Sequence, residues 1–240
     1  NEPIKYKRDY LQFALLAIFG VAVNQMMFFK GLSLTNPISA SVIMTCSPIV
    51  VLVASYFILH ERITVRKIIG ILMGATGAIL LIGTEGFSFS NDTFLGNLLV
   101  LVNATSYSIY LVLVKPMMLR YRTLTVVKWV FLFGTIWVLP FSWTEFSVVD
   151  WQGFTQEAWL ALLFVVLGTT FFAYLLNAWA LNFVNPSLVG YYIYLQPVFS
   201  TVIAVVFWDD LLSFTQVANA ALIFLGVFLV SYSPTRKPTT

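Results

Sequence analysis

The chain has 240 residues, 60% of them hydrophobic and only 10% charged, with mean hydropathy +0.89 and a net charge of +3. Soluble domains carry about 25% charged residues, so this chain lacks the polar surface that a water-facing globule needs and belongs in a bilayer. The small net charge, despite a pI near 9.0, forms no patch fit for nucleic acid, and the single cysteine, Cys46, excludes an intramolecular disulfide.

A spanning helix needs about 20 apolar residues. The pattern predicts eight: Leu11 to Gly31, Pro37 to Leu59, Ile68 to Gly83, Phe94 to Val114, Thr125 to Trp143, Ala158 to Phe183, Pro186 to Trp208 and Phe214 to Tyr232. Runs this long are not the short alternating strands of a barrel, so the fold class is an all-α integral membrane protein. The basic cluster Lys5, Lys7 and Arg8 could open a leader peptide, yet the run behind it is long enough to span.

Charge sets the expected orientation. Lys5, Lys7, Arg8, Arg62, Arg66, Lys67, Lys115, Arg120, Arg122, Lys128, Arg236 and Lys237 all fall on one side of eight alternating spans, which is twelve of the thirteen basic residues. Glu85, Asp92, Glu145, Asp150, Glu157, Asp209 and Asp210 fall on the other. The positive-inside rule makes the basic side cytoplasmic, the C-terminus with it. Trp143, Trp151, Trp159 and Trp208 stand at the opposite ends of their helices, as an interfacial aromatic belt should.

One stretch recurs. Asn36-Pro37, Pro48, Glu61, Thr64 and Gly77 return 149 positions later as Asn185-Pro186, Pro197, Asp210, Ser213 and Gly226. The loop of the first copy carries Arg62, Arg66 and Lys67, whereas its counterpart carries Asp209 and Asp210, so the copies are expected to insert in opposite directions. Inverted repeats are the architecture of secondary transporters, with the substrate near the midplane. With the helix before each copy counted in, a three-helix block repeats; Phe94 to Val114 and Thr125 to Trp143 precede the second block and nothing in the chain precedes the first, which predicts two further helices, about 60 residues, ahead of Asn1. The expected parent is a ten-helix, five-plus-five fold, with residues 1–84 supplying three helices of the first unit and 85–240 the second.

These residues carry a resemblance. Thr35-Asn36-Pro37, Ala40-Ser41, Ser47-Pro48, His60-Glu61-Arg62-Ile63-Thr64 and the glycines Gly70, Gly74 and Gly77 resemble the EamA-domain branch of the drug/metabolite transporter superfamily. The second copy, through Gln196-Pro197, Ser213, Gln216 and Gly226, departs from the pattern at Asp210, Leu211 and Asn219. The resemblance implies a transporter of small metabolites, often an exporter of amino acids or related compounds, working without a cofactor or metal. A bacterial inner membrane is the expected location.

Candidate site residues follow from polarity at mid-membrane depth. Asn103, Tyr107 and Tyr110 share one helix face, as do Thr170, Tyr174 and Asn177; Asn24 and Gln25, Thr45 and Ser47, and Tyr191, Tyr194 and Gln196 lie equally deep. Each could serve an interhelical hydrogen bond alone; together they suit a neutral pocket for a polar or amphipathic small molecule. Pro48 and Pro197 bend their helices, either to pack or to line a pathway. Gly70, Gly74 and Gly77 form a close-packing face. Lys30 either snorkels to the interface or meets a substrate carboxylate. Glu61 and Arg62 read as capping and orienting charges at a helix end, and His60 beside them as an interfacial snorkeller, not a proton relay. No carboxylate lies deep in a span, which favours facilitated diffusion or exchange over proton coupling. The alternative, a membrane enzyme acting on lipid or isoprenoid substrates, would need a nucleophile or acid–base pair; His60 and Cys46 are the only residues of their kinds.

Overall fold

The computed structural model describes residues 2–82, 91–208 and 213–231; Gly83, Glu85, Asp209, Asp210, Leu211, Tyr232, Arg236 and Lys237 lie outside the described residues, as do the side chains of Asp92 and Trp208. In lipid every backbone N–H and C=O must find its partner within the chain, so apolar runs of this length fold as helices. They are α1 (Lys7–Leu34), α2 (Pro37–Leu59), α3 (Val65–Ile82), α4 (Asn91–Met118), α5 (Thr123–Ser147), α6 (Gln156–Ala180), α7 (186–208) and α8 (Phe214–Ser231). Among the described residues, seven of them, α1 to α6 and α8, are long and apolar enough to cross a membrane by length and composition. The stretch expected as one helix over 186–208 is divided into Pro186–Tyr191, a 3-10 turn over Tyr192–Leu195, and Gln196–Trp208.

Polar side chains set the ends. Asn36 Oδ1 accepts from the Ser39 N–H at 2.7 Å, with Pro37 following at the first helical position, where its missing N–H costs nothing. Thr155 Oγ1 accepts from the Ala158 N–H and starts α6. At the other end of α2, His60 takes the left-handed conformation (φ 54°), and the Glu61 N–H donates back to the Ser55 carbonyl at 3.1 Å.

In α1 and α4, paired charges carry the helix further than expected. α1 begins at Lys7 and draws in Asp9, which is buried; the Tyr121 hydroxyl donates to Asp9 Oδ2 at 2.6 Å and Arg120 Nη1 lies 3.4 Å from Oδ1. α4 continues past Val114 through Lys115 and Pro116 to Met118, since the Lys115 ammonium donates to the carbonyls of Leu181 and Val184, the latter at 3.0 Å. A charge so satisfied need not end a span.

The apolar faces pack in two main groups. Phe13, Val21, Leu111, Met117, Val126, Tyr174 and Leu181 join α1, α4 and α5 to the α6 end, while Ile71, Ala78, Tyr191, Tyr194, Val198 and Ile223 join α3, α7 and α8. The α3–α8 crossing depends on missing side chains. A Cβ at Gly70 would stand 2.8 Å from the Gly226 carbonyl oxygen, and one at Gly77 would stand 2.9 Å from that of Asn219. The repeat offset carries Gly70 to Asn219 and Gly77 to Gly226, so each contact is the other's image, as in an isologous interface. A third pair obeys the same rule: the Tyr194 hydroxyl donates to the carbonyl of Thr45, 149 positions away, at 3.0 Å.

The bundle has a basic end. Contacts there tie Lys5 and Asp9 to Tyr121, Lys67 to Glu61, and Lys115 to the turn after α6; among the described residues, Lys30 alone of the lysines and arginines lies elsewhere. The opposite end carries the exposed rings of Trp143, Trp151 and Trp159, the last two stacked with centroids 6.1 Å apart.

Candidate functional site

Four helices lose regular α bonding near mid-length. α1 widens to a π turn over Ile18–Ala22, α6 to a longer one over Phe164–Phe172, α2 breaks at Thr45 and Cys46, and α7 tightens to its 3-10 turn. The prolines explain the last two. Each lacks an N–H, so the carbonyl four residues earlier loses its donor. In α7 the turn tightens until the Gln196 N–H supplies the Ile193 carbonyl instead, and in α2 the Thr45 and Cys46 N–H groups likewise bond three residues back, to Val42 and Ile43.

In α1 the irregular carbonyls are met by side chains from neighbours. Ser106 Oγ donates to the Phe19 carbonyl at 2.8 Å, Asn103 Nδ2 donates to the Asn24 carbonyl at 2.7 Å, and the Tyr174 hydroxyl reaches both the Gly20 carbonyl and Asn24 Oδ1, the latter at 2.8 Å. Gly20 has to be glycine: a Cβ there would stand 2.5 Å from the Tyr110 ring.

Around these breaks lies a cavity of 310 Å³, lined by Asn24, Phe28, Met44, Asn103, Tyr107, Leu111, Thr169, Ala173, Tyr174, Asn177, Val189, Tyr192, Ile193 and Gln196. None of these carries a charge. Asn177 Nδ2 donates to the Tyr107 hydroxyl at 3.0 Å, and the rings of Tyr107 and Tyr174 meet edge to face at 5.7 Å. The Asn103 Oδ1 and Tyr110 hydroxyl are buried without a hydrogen-bond partner among the described residues.

A second cavity, of 390 Å³, adjoins the first across Met44, Ile193 and Gln196 and extends away from the basic end between Ser41, Thr45, Leu81, Ser200, Thr201 and Gln216. On the other side, at the basic end, polar contacts join two helices. The Glu61 carboxylate pairs with Lys67 through Oε1 and accepts from Ser187 Oγ at 2.8 Å through Oε2, binding the end of α2 to the start of α7 just beyond Val189.

Of the candidates read from sequence, Asn24, Asn103, Tyr107, Tyr174, Asn177 and Gln196 therefore meet in one cavity, and Thr45 lines its neighbour. The rest lie elsewhere. Gln25 and Lys30 face a groove of 540 Å³ between α1 and α5 that also holds Glu145. Ser47 is buried against Ser108, whose hydroxyl lies 3.2 Å from its carbonyl. Tyr191 and Tyr194 are wholly buried over Gly74, with the Tyr191 hydroxyl donating to the Gly70 carbonyl at 2.8 Å. Thr169, not Thr170, faces the cavity within the π turn. Sequence reasoning passed over Met44 and Ile193 because they are apolar, although the repeat offset pairs them and each stands four residues before a proline.

Comparison with known proteins gives the family. The model of the EamA-like transporter family matches residues 1–83 and 94–232. An uncharacterized transporter of Archaeoglobus fulgidus is 28% identical over 225 residues, covering 93% of this chain and 76% of the relative. The uncharacterized transporter YetK of Bacillus subtilis is 23% identical, with 95% and 69% covered. A WAT1-related protein of Arabidopsis thaliana is 23% identical over 91% of this chain and 64% of its own length. A solved crystal structure shares the fold, with TM-score 0.75 at 22% identity over 95% of this chain and 77% of that one. A family match across both halves, on a multi-pass bundle of apolar helices, means that the chain belongs to the EamA-like transporter family and is a membrane transporter, not an enzyme.

Proposed function

We propose that the protein carries a small polar or amphipathic metabolite, such as an amino acid, out of the cell by alternating access through the mid-depth cavity. The observation that carries this reading is that α1, α2, α6 and α7 all leave regular helix beside that cavity. Irregular backbone at membrane depth is tolerated where protein or a water-filled cavity surrounds it, and transporters build their sites from such broken helices. In this reading the contacts of Glu61 with Lys67 and Ser187 close the basic end while the cavity opens toward the other through the second chamber, one of the two states that alternating access requires.

In this reading residues 1–84 belong to one unit and 85–240 to the other, inverted about the axis where Thr45 meets Tyr194 and Gly70 meets Gly226. The basic end faces the cytoplasm of a bacterial inner membrane, with the C-terminus on that side. The uncharged lining supports facilitated diffusion or exchange, since a proton-coupled site would need an intramembrane titratable group.

The test compares metabolites released by cells that express the parent protein with those released by cells expressing Tyr107→Phe, Gln196→Ala at equal abundance. A compound enriched outside only with the intact protein supports export through this cavity. Equal release by both would remove the cavity from the pathway, and release equal to that of empty cells would remove export.

A further inference from the structure

We propose that the groove between the start of α5 and the end of α6 binds one anionic phospholipid, its phosphate at Arg122 and Lys128 and its acyl chains along α6. The groove has a volume of 860 Å³, lies at the basic end and shares no residue with either mid-depth chamber. Position along the helices gives it one polar and one apolar end. Arg122 and Thr123 stand where α5 begins and Asn182 just past the end of α6; Asn182 Nδ2 donates to Thr123 Oγ1 at 3.0 Å and ties the two together. Leu175, Leu176 and Trp179 lie within α6, a span by length and composition, and Leu176 and Trp179 are 60% and 54% exposed on it. Surface exposed on a span meets acyl chains, and tryptophan is suited to the boundary between chain and headgroup.

Charge decides which lipid fits. Arg122 and Lys128 are both exposed in the groove, and neither forms a salt bridge among the described residues; Lys128 Nζ lies 5.7 Å from the centroid of the Trp129 ring. Glu2 also lines the groove, accepting from the Arg122 backbone N–H at 2.9 Å, so two cations less one carboxylate leave a net charge of +1. An apolar groove alone would take any lipid. Cations gathered between helices at the membrane surface select an anionic headgroup.

The purified protein in detergent is mixed with phosphatidylglycerol or phosphatidylcholine of the same chain length, and retained lipid is counted by native mass spectrometry. One phosphatidylglycerol per chain is expected, held about tenfold more tightly than phosphatidylcholine. Arg122→Gln and Lys128→Gln should each weaken it about fivefold. Arg62→Gln, an exposed cation at the same end but outside the groove, should leave it unchanged. Glu2→Gln should tighten it, which loss of folding cannot imitate, and equal retention of phosphatidylcholine reports that each variant is intact. Equal retention of the two lipids, or the same loss from Arg62→Gln as from Arg122→Gln, overturns the proposal. It is overturned too if glycerophosphoglycerol, the headgroup without chains, binds as tightly as the lipid, which would make the groove a site for soluble anions. A protein found only at twice the chain mass, without lipid, would show a second copy covering the groove and overturn it likewise.

Discussion

Gly226→Ala tests the α3–α8 crossing directly. The new methyl would stand 2.6 Å from the Gly70 carbonyl oxygen and 2.1 Å from the Tyr191 hydroxyl. The first obstacle is backbone and cannot turn aside, so the helices must separate. Overpacking of this kind costs about 1–3 kcal/mol. Displacing the Tyr191 hydroxyl from the Gly70 carbonyl, now 2.8 Å away, forfeits a buried neutral hydrogen bond worth about 1 kcal/mol. Together the loss is about 2–4 kcal/mol. Unfolding in mixed micelles, followed by tryptophan fluorescence, reads it. Two companions divide the total: Tyr191→Phe removes only the hydrogen bond and should cost about 1 kcal/mol. Gly168→Ala meets nothing nearer than the edge of the Phe164 ring at 3.3 Å and should stay within about 1 kcal/mol of the parent. A Gly226→Ala protein within about 0.5 kcal/mol of the parent would refute the close approach.

The closure at the basic end gives a second expectation. Ser187→Ala removes a hydrogen bond to a carboxylate, worth about 1.5–3 kcal/mol, so a cysteine at Val189, in a background without Cys46, should label faster from that end. An unchanged rate would mean that Glu61 and Ser187 do not hold the passage shut. The repeat images of Glu61, Lys67 and Ser187 are Asp210, Gln216 and Ile38, which offer neither the ammonium nor the hydroxyl; the closed basic end is therefore expected to predominate at rest. Burial, and then the Asp9 carboxylate that its hydroxyl serves, raise the Tyr121 pKa above its ordinary value near 10. Folding thus favours the neutral phenol, so its contribution is complete below about pH 10 and is lost as pH rises through the raised value. Tyr121→Phe should flatten that alkaline fall in unfolding midpoints, and an identical fall in the variant would show another group to be responsible. His60→Gly should stabilise the chain by about 1 kcal/mol, because a left-handed residue costs glycine little; a destabilised variant would mean that the histidine side chain outweighs its backbone strain. For orientation, cysteines at Thr64 and Ser147 should label from opposite sides of the membrane, Ser147 from outside.

The membrane class, the approximate spans, the end at which basic residues gather and the 149-residue repeat were all legible in the chain, because each depends on composition or order along one dimension. A bilayer forces long apolar runs into helices whatever their neighbours. The family resemblance rested on the same linear features, Asn36-Pro37, Pro48, Glu61 and the glycines after it. Polarity at depth was readable as well, and it singled out Asn24, Asn103, Tyr107, Tyr174, Asn177 and Gln196. What it could not distinguish was a polar group facing a cavity from one facing another helix. Tyr191 and Tyr194 look as suitable as Tyr107 in sequence, yet Gly74 leaves room for their rings and the carbonyls of Gly70 and Thr45 take their protons. Ser47 and Thr170 were likewise decided by local breaks in helical register, where proline or a π turn rotates the residues that follow. The lengths of α1 and α4 depended on partners far along the chain, Tyr121 for Asp9 and the turn after α6 for Lys115. Pairing at a distance decides whether a charge can be buried, and only the tertiary structure supplies the pair.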